Sequence, residues 1–125
     1  MIPSRILVAT DGSASAKVAE AFAAEMAVAE HASTVVVVTV LRAYAAARAG
    51  IVEPPAAKVE AAERLVAEAA EHILAIIGSN PVAIETKVLS ALSEAEAIID
   101  EAHAADTCSH IVMGRGKGRA IRERA

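Results

Sequence analysis

The sequence predicts an α/β protein in which helices cover both faces of an open parallel sheet. Short, strongly apolar runs of strand length recur along the chain, and segments with the three- and four-residue spacing of amphipathic helices lie between them. This alternation of strand and helix is typical of a parallel sheet. The length of 125 residues suits one domain, so we expect a single domain over residues 1–125.

The first strand and first helix form the opening unit. Residues 5–10 read Arg-Ile-Leu-Val-Ala-Thr, a continuous apolar run typical of a strand that is buried on both faces. The turn signal Asp11-Gly12-Ser13 follows, and Ser13 can cap a helix. Apolar residues at spacings of four, four and three predict a buried stripe on that helix: Val18, Phe22, Met26 and Ala29.

The middle of the chain continues the alternation. Residues Thr34–Leu41 are nearly all β-branched and predict the second strand. The pattern then breaks, and Arg42–Pro55 reads as a loop with a short helical turn over residues 45–48. Ala56–Ile77 predicts a long helix that ends at Gly78. Its expected buried stripe is Val59, Ala62, Val66, Ala69, Ile73 and Ile76.

The last two strands flank a third helix. Val82–Leu89 alternates apolar and polar residues, which predicts a half-buried strand at a sheet edge. Ser93-Glu94-Ala95-Glu96 is a capping box that begins a helix broken at Asp106-Thr107. The expected buried stripe of this helix is Leu92, Ala95, Ile99 and Ala102. Ser109–Met113 predicts a short strand that leads into Gly114-Arg115-Gly116-Lys117-Gly118.

Composition excludes several classes of function. The formal net charge of −4 and the aromatic content of 2% disfavour nucleic-acid binding, which uses neutralised phosphates and stacking platforms. No apolar run is long enough to cross a membrane, and residues 1–5 do not resemble a signal peptide. A lone cysteine, Cys108, excludes an internal disulfide and is expected to be a small buried residue. We therefore expect a cytoplasmic protein with no nucleic-acid or membrane partner.

Two loops are candidates for chemistry because ligands of open parallel sheets lie beyond the carboxyl ends of the strands. Asp11, after the first strand, offers a carboxylate suited to a ribose hydroxyl or an adenine amino group. The Gly114–Gly118 loop offers bare backbone amides and two cations, a combination that favours an anion. Each signal also has a purely structural interpretation: a turn-forming aspartate, and a glycine turn with solvated basic residues.

The sequence lacks the patterns of familiar catalytic sites. Lys117 is followed by glycine rather than by the Ser or Thr of a phosphate-binding P-loop, and no Gly-x-Ser-x-Gly elbow occurs. The four histidines show no metal-binding spacing. No nucleophile or matched acid–base pair is evident, so we expect no fast enzyme.

Three segments together resemble the universal stress protein family. Residues 6–13, Ile-Leu-Val-Ala-Thr-Asp-Gly-Ser, are similar to its first strand and turn. Residues 36–40 resemble its second strand, and residues 109–114 resemble its fourth strand as it enters the nucleotide loop. The resemblance covers nearly the whole chain. It implies a parallel sheet in the order 3-2-1-4-5, a cytoplasmic homodimer often induced under stress, and a subgroup that binds ATP.

The resemblance also implies a binding site for ATP or AMP, with Mg²⁺. Asp11 and Val40 would contact the adenosine part, Met113 and Gly114 would line the base and ribose side, and the glycine loop would surround the phosphates. The residues expected to bind the nucleotide are Ala9, Thr10, Asp11, Val40, Met113, Gly114, Arg115, Gly116, Lys117 and Gly118.

The chain departs from the family pattern in its carboxyl-terminal part. Lys117 stands where the second glycine of the ATP loop is expected, and Leu89–Leu92 replaces the usual glycine and proline before the third helix. The later Gly-Ser or Gly-Thr pair cannot be placed. Seven residues follow Gly118, whereas a crossover to a fifth parallel strand needs about a dozen. The resemblance therefore implies the order 3-2-1-4, with the fifth strand absent because too few residues remain to form it.

Two functions stay open at this point. The first is an adenine-nucleotide-binding sensor or regulator of the stress response, which the retained Asp11 and glycine loop favour. The second is a family member that has lost nucleotide binding and acts as a protein-interaction module, which the altered glycine spacing favours. Without a fifth strand, Ser109–Met113 becomes a sheet edge, so we expect a homodimer whose contact lies at or near that edge.

Overall fold

The structure is a computed structural model that describes residues 4–46, 50–104 and 108–114. No helix in these ranges is both long and apolar enough to span a membrane. The elements in chain order are β1 (Arg5–Ala9), α1 (Ala14–Ala29), β2 (Thr34–Arg42), β3 (Tyr44–Ala46), β4 (Gly50–Val52), α2 (Ala56–Ile77), β5 (Ala83–Ala91), α3 (Glu94–Ala102) and β6 (His110–Met113).

Four strands of the described part of the chain form the main sheet, in the order β5-β2-β1-β6, and every neighbouring pair is parallel. Counted along the chain among these four, the order is 3-2-1-4, which confirms the prediction. The expected edge position of the Val82–Leu89 strand is also confirmed, because β5 pairs only with β2 among the described strands. The predicted absence of a fifth strand concerns residues 115–125, which lie outside the described residues.

Helices pack on both faces of the sheet, as predicted. On one face, α1 and α2 enclose the larger core with Ile6, Val8 and Val35 of the central strands. On the other face, Ile98 and Ala102 of α3 pack against Leu7 and Val36. Successive residues of β1 and β2 therefore pack into opposite cores, which explains why residues 6–8 and 35–38 are apolar without a break.

The predicted buried stripe of α1 is wrong. Val18 is 71% exposed and Phe22 is 53% exposed. The buried face consists instead of small residues and one acid: Ala16, Ala19, Glu20, Ala23, Ala24 and Ala27. The small alanine side chains allow α1 to lie close to the sheet. Thr10 and His72 contact Glu20 and keep the alanine face turned toward the sheet. The rotation of α1 about its axis is therefore not set by its largest apolar residues.

The predicted loop over Arg42–Pro55 also needs correction. It contains an antiparallel hairpin in which β3 pairs with β4 through Tyr44 and Val52, Ala45 and Ile51, and Ala46 and Gly50. Ala45 and Ala46 therefore lie in a strand rather than in the predicted helical turn; residues 47–49 lie outside the described residues. The Ser90 hydroxyl donates to Glu53 Oε2 at 2.7 Å, which joins the segment after the hairpin to β5.

The other two helices follow the sequence prediction more closely. The bounds of α2 are confirmed, although Ile77 rather than Ile76 completes its buried face. Ser93 caps α3 by accepting from the Glu96 N–H at 3.4 Å. The predicted stripe of α3 is partly wrong, because Leu92 is 48% exposed, Ala95 is exposed, and Ile98 rather than Ile99 is buried with Ala102. The predicted break at Asp106-Thr107 lies outside the described residues.

Candidate functional site

A cavity of about 140 Å³ lies where β1, β2 and β6 end. The walls come from the carboxyl ends of these strands and from the first turns of α1 and α3. The lining residues are Ala9, Thr10, Asp11, Ser13, Ser15, Ala16, Thr39, Val40, Glu94, Ile98, Met113 and Gly114. Six of the ten predicted binding residues are thus brought together: Ala9, Thr10, Asp11, Val40, Met113 and Gly114. The other four, Arg115, Gly116, Lys117 and Gly118, lie outside the described residues.

The turn after β1 is held by its own polar groups. The Ser13 N–H donates to Asp11 Oδ1 at 2.9 Å, and Ser13 Oγ in turn accepts from the Ala16 N–H at 3.2 Å, which caps α1. Gly12 has a φ of +80°, a left-handed conformation that favours glycine, and a Cβ there would lie 3.2 Å from Leu65 Cδ1. The turn therefore presents the Asp11 carboxylate at the cavity in a fixed orientation.

Hydrogen bonds from the side chain and backbone of Ser13 hold the pKa of the Asp11 carboxyl below its ordinary value. The ionised form is the one that accepts these bonds, so Asp11 is a carboxylate at neutral pH. A carboxylate has about four acceptor sites, so the bonds with Ser13 leave acceptor capacity for a ligand hydroxyl or amino group.

A pH-dependent stability difference should follow from this lowered pKa. An acid whose folded pKa is depressed stabilises the fold above its unfolded pKa, and the contribution is lost as the pH falls through the folded value. We expect the small advantage of the wild type over Asp11→Asn at pH 7 to shrink below about pH 4. Urea unfolding of both proteins across this range measures it. A difference that stays constant down to pH 2 would contradict the assignment.

Gly114 brings β6 against the first turn of α1. A Cβ on this residue would lie 2.7 Å from the carbonyl carbon and oxygen of Ser15 and 2.8 Å from the Ala16 nitrogen. Only a residue without a side chain allows this approach. Gly114 thus closes the cavity between the end of β6 and the amino-terminal turn of α1, a role independent of any ligand.

The buried carboxylate of Glu20 links the cavity wall to α1 and α2. Glu20 of α1 is 3% exposed, and its Oε2 accepts from the Thr10 hydroxyl at 2.7 Å. The other oxygen, Oε1, lies 3.0 Å from His72 Nδ1 of α2. Thr10 Oγ1 also accepts from the Gly12 N–H at 3.2 Å. This chain of contacts joins α2, α1 and the turn that carries Asp11.

Removing this carboxylate should destabilise the fold. Glu20→Ala leaves the buried Thr10 hydroxyl without its acceptor, so we expect the free energy of unfolding to fall by about 1–3 kcal/mol. Chemical denaturation measures the loss. Glu25→Ala is the matched control, because Glu25 lies on the same helix and is exposed. Equal, small losses in both variants would show that the buried contacts contribute nothing.

Six of the twelve residues that line the cavity were not predicted as binding residues: Ser13, Ser15, Ala16, Thr39, Glu94 and Ile98. Thr39 carried a usable signal, because it is a polar residue in an apolar strand one position before Val40. Glu94 and Ile98 carried none, since their place at the cavity depends on how α3 packs over the sheet.

Cys108 lies just before β6, at the opposite end of the sheet from the cavity. Cys108 is 3% exposed, which confirms the predicted buried residue, and desolvation raises the pKa of its thiol. Within residues 4–46, 50–104 and 108–114, no group of three or more His, Cys, Asp or Glu side chains could hold a metal ion.

Comparisons with known proteins point to one family. The sequence model described as the universal stress protein family matches residues 3–124. A solved universal stress protein from Archaeoglobus fulgidus is 28% identical, covers 94% of this chain and 78% of its own, and has a TM-score of 0.66. A protein of that family from Burkholderia pseudomallei is 28% identical over 89% and 80%, with a TM-score of 0.66.

A third solved structure, a universal stress protein in complex with cAMP, is 20% identical over 87% of this chain and 70% of that chain, with a TM-score of 0.62. Comparison with curated proteins gave no match.

Proposed function

The chain belongs to the universal stress protein family, and from this premise we propose that it binds an adenine nucleotide, ATP or AMP, and acts as a sensor or regulator in the stress response. The observation that supports this most strongly is the convergence of Asp11, Val40 and Met113 on one cavity. The cavity lies at the carboxyl ends of the strands, which is where open parallel sheets bind nucleotides. A universal stress protein of similar fold has been solved in complex with cAMP, an adenine nucleotide.

The lining chemistry suits the adenosine end of the ligand. Val40, Ile98 and Met113 offer apolar surface for a base, and the Asp11 carboxylate accepts from a hydroxyl or an amino group. The volume of about 140 Å³ is smaller than the roughly 300–1,000 Å³ of pockets that enclose a drug-sized ligand. The cavity therefore takes one end of the nucleotide, and the phosphates extend toward the Gly114–Gly118 loop.

At the phosphate end of the nucleotide, this chain would supply positive charge. Arg115 and Lys117 supply two cations, and Gly116 and Gly118 supply unobstructed backbone amides. Mg²⁺ would be bound by the phosphate oxygens of ATP, as this cation commonly is. The protein would work in the cytoplasm as a single-domain homodimer, with adenine nucleotide rather than nucleic acid or membrane as its ligand and with at most slow ATP hydrolysis.

A thermal-shift series tests the proposal. The full chain is heated with ATP, ADP, AMP and, as a non-adenine control, GTP. A ligand at 100 times its dissociation constant stabilises the folded protein by about 2.7 kcal/mol, so the adenine nucleotides should raise the melting temperature and GTP should raise it less. No shift with any nucleotide would overturn the proposal and favour the protein-interaction module, which the lysine at the expected glycine position 117 supports.

Lys117 should distinguish ATP from adenosine. Its charge meets only the phosphates, so Lys117→Ala is expected to weaken ATP binding by about 3- to 10-fold and to leave adenosine binding nearly unchanged. Calorimetric titration of both ligands measures this. Lys58→Ala, on the exposed surface of α2, is the control. Equal losses for ATP and adenosine would mean that Lys117 is merely solvated.

A further inference from the structure

A carboxylate is buried on the face of α1 that otherwise consists of alanines. Glu20 is 3% exposed and does not line the cavity, and both of its oxygens have partners. Oε2 accepts from the Thr10 hydroxyl at 2.7 Å, and Oε1 lies 3.0 Å from His72 Nδ1. A carboxylate only accepts hydrogen bonds, so Nδ1 of His72 is the donor. Glu20 thus connects α2 to the turn that follows β1.

Stability alone does not account for a charged side chain at this position. Moving a carboxylate out of water is costly, and well-packed apolar residues of similar volume often replace a buried charged pair without loss of stability. An apolar side chain would suit the alanine face of α1 without that cost. Buried charged groups can instead select one arrangement of the chain around them. The partners of Glu20 therefore point to what this residue does.

Thr10 joins Glu20 to the cavity wall. Its backbone is fixed to the sheet, since the Thr10 N–H donates to the Val38 carbonyl of β2 at 2.9 Å. The hydroxyl carries one hydrogen, which it donates to Glu20, and its oxygen accepts from the Gly12 N–H at 3.2 Å. The hydroxyl therefore cannot donate to a ligand while it is bound to Glu20. Its contribution to the cavity is to hold the turn.

Hydrogen bonds from Gly12 and Ser13 hold this turn. The Gly12 N–H donates to Thr10 Oγ1, and the Ser13 N–H donates to Asp11 Oδ1 at 2.9 Å. Gly12 has a φ of +80°, and a glycine can adopt many other conformations at similar cost. Rotation of the Thr10 hydroxyl away from Gly12 would therefore loosen the residue that follows Asp11. A site that is ordered before the ligand arrives binds it more tightly.

His72 lies at the solvent end of this network. Its side chain is 40% exposed, whereas Glu20 and Thr10 are buried. It does not line the cavity, and it lies on α2, 52 positions after Glu20. The contact with Oε1 limits rotation of the carboxylate, so the other oxygen stays directed at Thr10. The network therefore runs from the surface of α2 to the turn that carries Asp11.

We propose that Glu20 is a positioning residue of the nucleotide site. Through the Thr10 hydroxyl it holds the turn that carries Asp11 in the conformation that receives the ligand, and His72 fixes Glu20 in place. This inference rests on the proposed nucleotide function and adds to it two residues that touch no ligand, Glu20 and His72. The affinity for ATP then depends on a contact between α1 and α2 as well as on the cavity wall.

Two substitutions that keep the length of the Glu20 side chain test this role on the full chain. Glu20→Met removes both acceptor oxygens and should weaken ATP binding by about 3- to 10-fold. Glu20→Gln keeps an acceptor for Thr10 and should bind ATP within about twofold of the wild type. Glu71→Ala, at the exposed neighbour of His72, is the control and should bind normally. Calorimetric titration measures the affinities, and circular dichroism confirms folding.

The ligand-free protein supplies a second readout. Amide hydrogen exchange at Gly12, followed by NMR, reports whether the bond to Thr10 is held. Exchange should be about threefold faster or more in Glu20→Met and unchanged in Glu20→Gln. A role confined to overall stability would not single out this amide.

His72→Ala reaches the network from its exposed end, so it decides the matter even where Glu20→Met does not fold. It should weaken ATP binding by about 2- to 5-fold and quicken exchange at Gly12. Thr10→Val already lacks the hydroxyl through which the network acts. Adding His72→Ala to Thr10→Val should therefore cause no further loss of affinity.

The outcomes separate this inference from the function on which it rests. A wild type that does not bind ATP overturns the proposed function and this inference with it. Four results overturn the inference alone: normal ATP affinity in Glu20→Met or His72→Ala, an affinity loss without faster exchange at Gly12, an equal loss in Glu20→Gln, or a loss from His72→Ala that persists beside Thr10→Val.

Discussion

Replacing Gly114 with alanine should destabilise the protein by about 1–3 kcal/mol and weaken ATP binding with it. The new Cβ would lie 2.7–2.8 Å from backbone atoms of Ser15 and Ala16, which cannot rotate away as a side chain could. Either β6 or the first turn of α1 must move, and both line the cavity. Chemical denaturation and calorimetric titration measure the two effects.

The control for this change is Ser79→Ala, since Ser79 is exposed in the turn before β5. That variant should match the wild type in both measurements. A Gly114→Ala protein with unchanged stability would show that the two segments do not approach as closely as the structure has them. Normal stability combined with lost ATP binding would instead assign Gly114 to the ligand alone.

Replacing Asp11 with alanine should weaken ATP binding by about 10- to 100-fold. A hydrogen bond to a charged group contributes about 1.5–3 kcal/mol, and each 1.4 kcal/mol is a factor of ten in affinity. The free protein should lose no more than about 1 kcal/mol, because Asp11 is exposed and its described role in the fold is the bond with Ser13. Calorimetric titration gives the affinity, and thermal unfolding without ligand gives the stability.

Two controls separate binding from folding in this experiment. Asp11→Asn keeps an acceptor for the Ser13 N–H and removes the charge, so it should bind ATP with intermediate affinity. Asp100→Ala changes an exposed aspartate on α3 and should leave binding unchanged. Normal ATP affinity in Asp11→Ala would exclude the proposed role of this residue.

The sheet could be predicted from the sequence because its signals are local. The part of a strand that is buried on both faces is apolar without a break, and residues 6–8 of β1 and 35–38 of β2 satisfy this. The edge strand β5 alternates, since its environment is half-buried. The three- and four-residue spacing of apolar residues after Pro55 predicted the long helix α2, and Gly78 marked its end.

The errors arise where the structure depends on contacts between distant residues. Val18 and Phe22 are the largest apolar side chains of their turn, yet the alanine face of α1 is buried because it fits closer to the sheet and carries Glu20. The partner of Glu20 on α2, His72, lies 52 positions further along the chain, so no local sequence pattern predicts this contact. The hairpin β3–β4 consists of two strands of three residues each, too short to show alternation.

The candidate site was partly predictable for a physical reason. The carboxyl ends of parallel strands meet at one edge, so residues at or near the carboxyl ends of β1, β2 and β6 converge there in this topology. Glu94 and Ile98 reach the same cavity only through the packing of α3, for which the sequence predicted Ile99 rather than Ile98 as the buried isoleucine.

Mapping the nucleotide onto the chain by NMR tests the central claim most directly. Backbone amide shifts of the full-length protein are followed while ATP is added. Binding at the proposed cavity predicts that the largest changes fall on Thr10–Ser13, Val40 and Met113–Gly114, with β5 and the amino-terminal ends of the strands unchanged. Absence of shifts at saturating ATP, or shifts confined to another surface, would contradict the account.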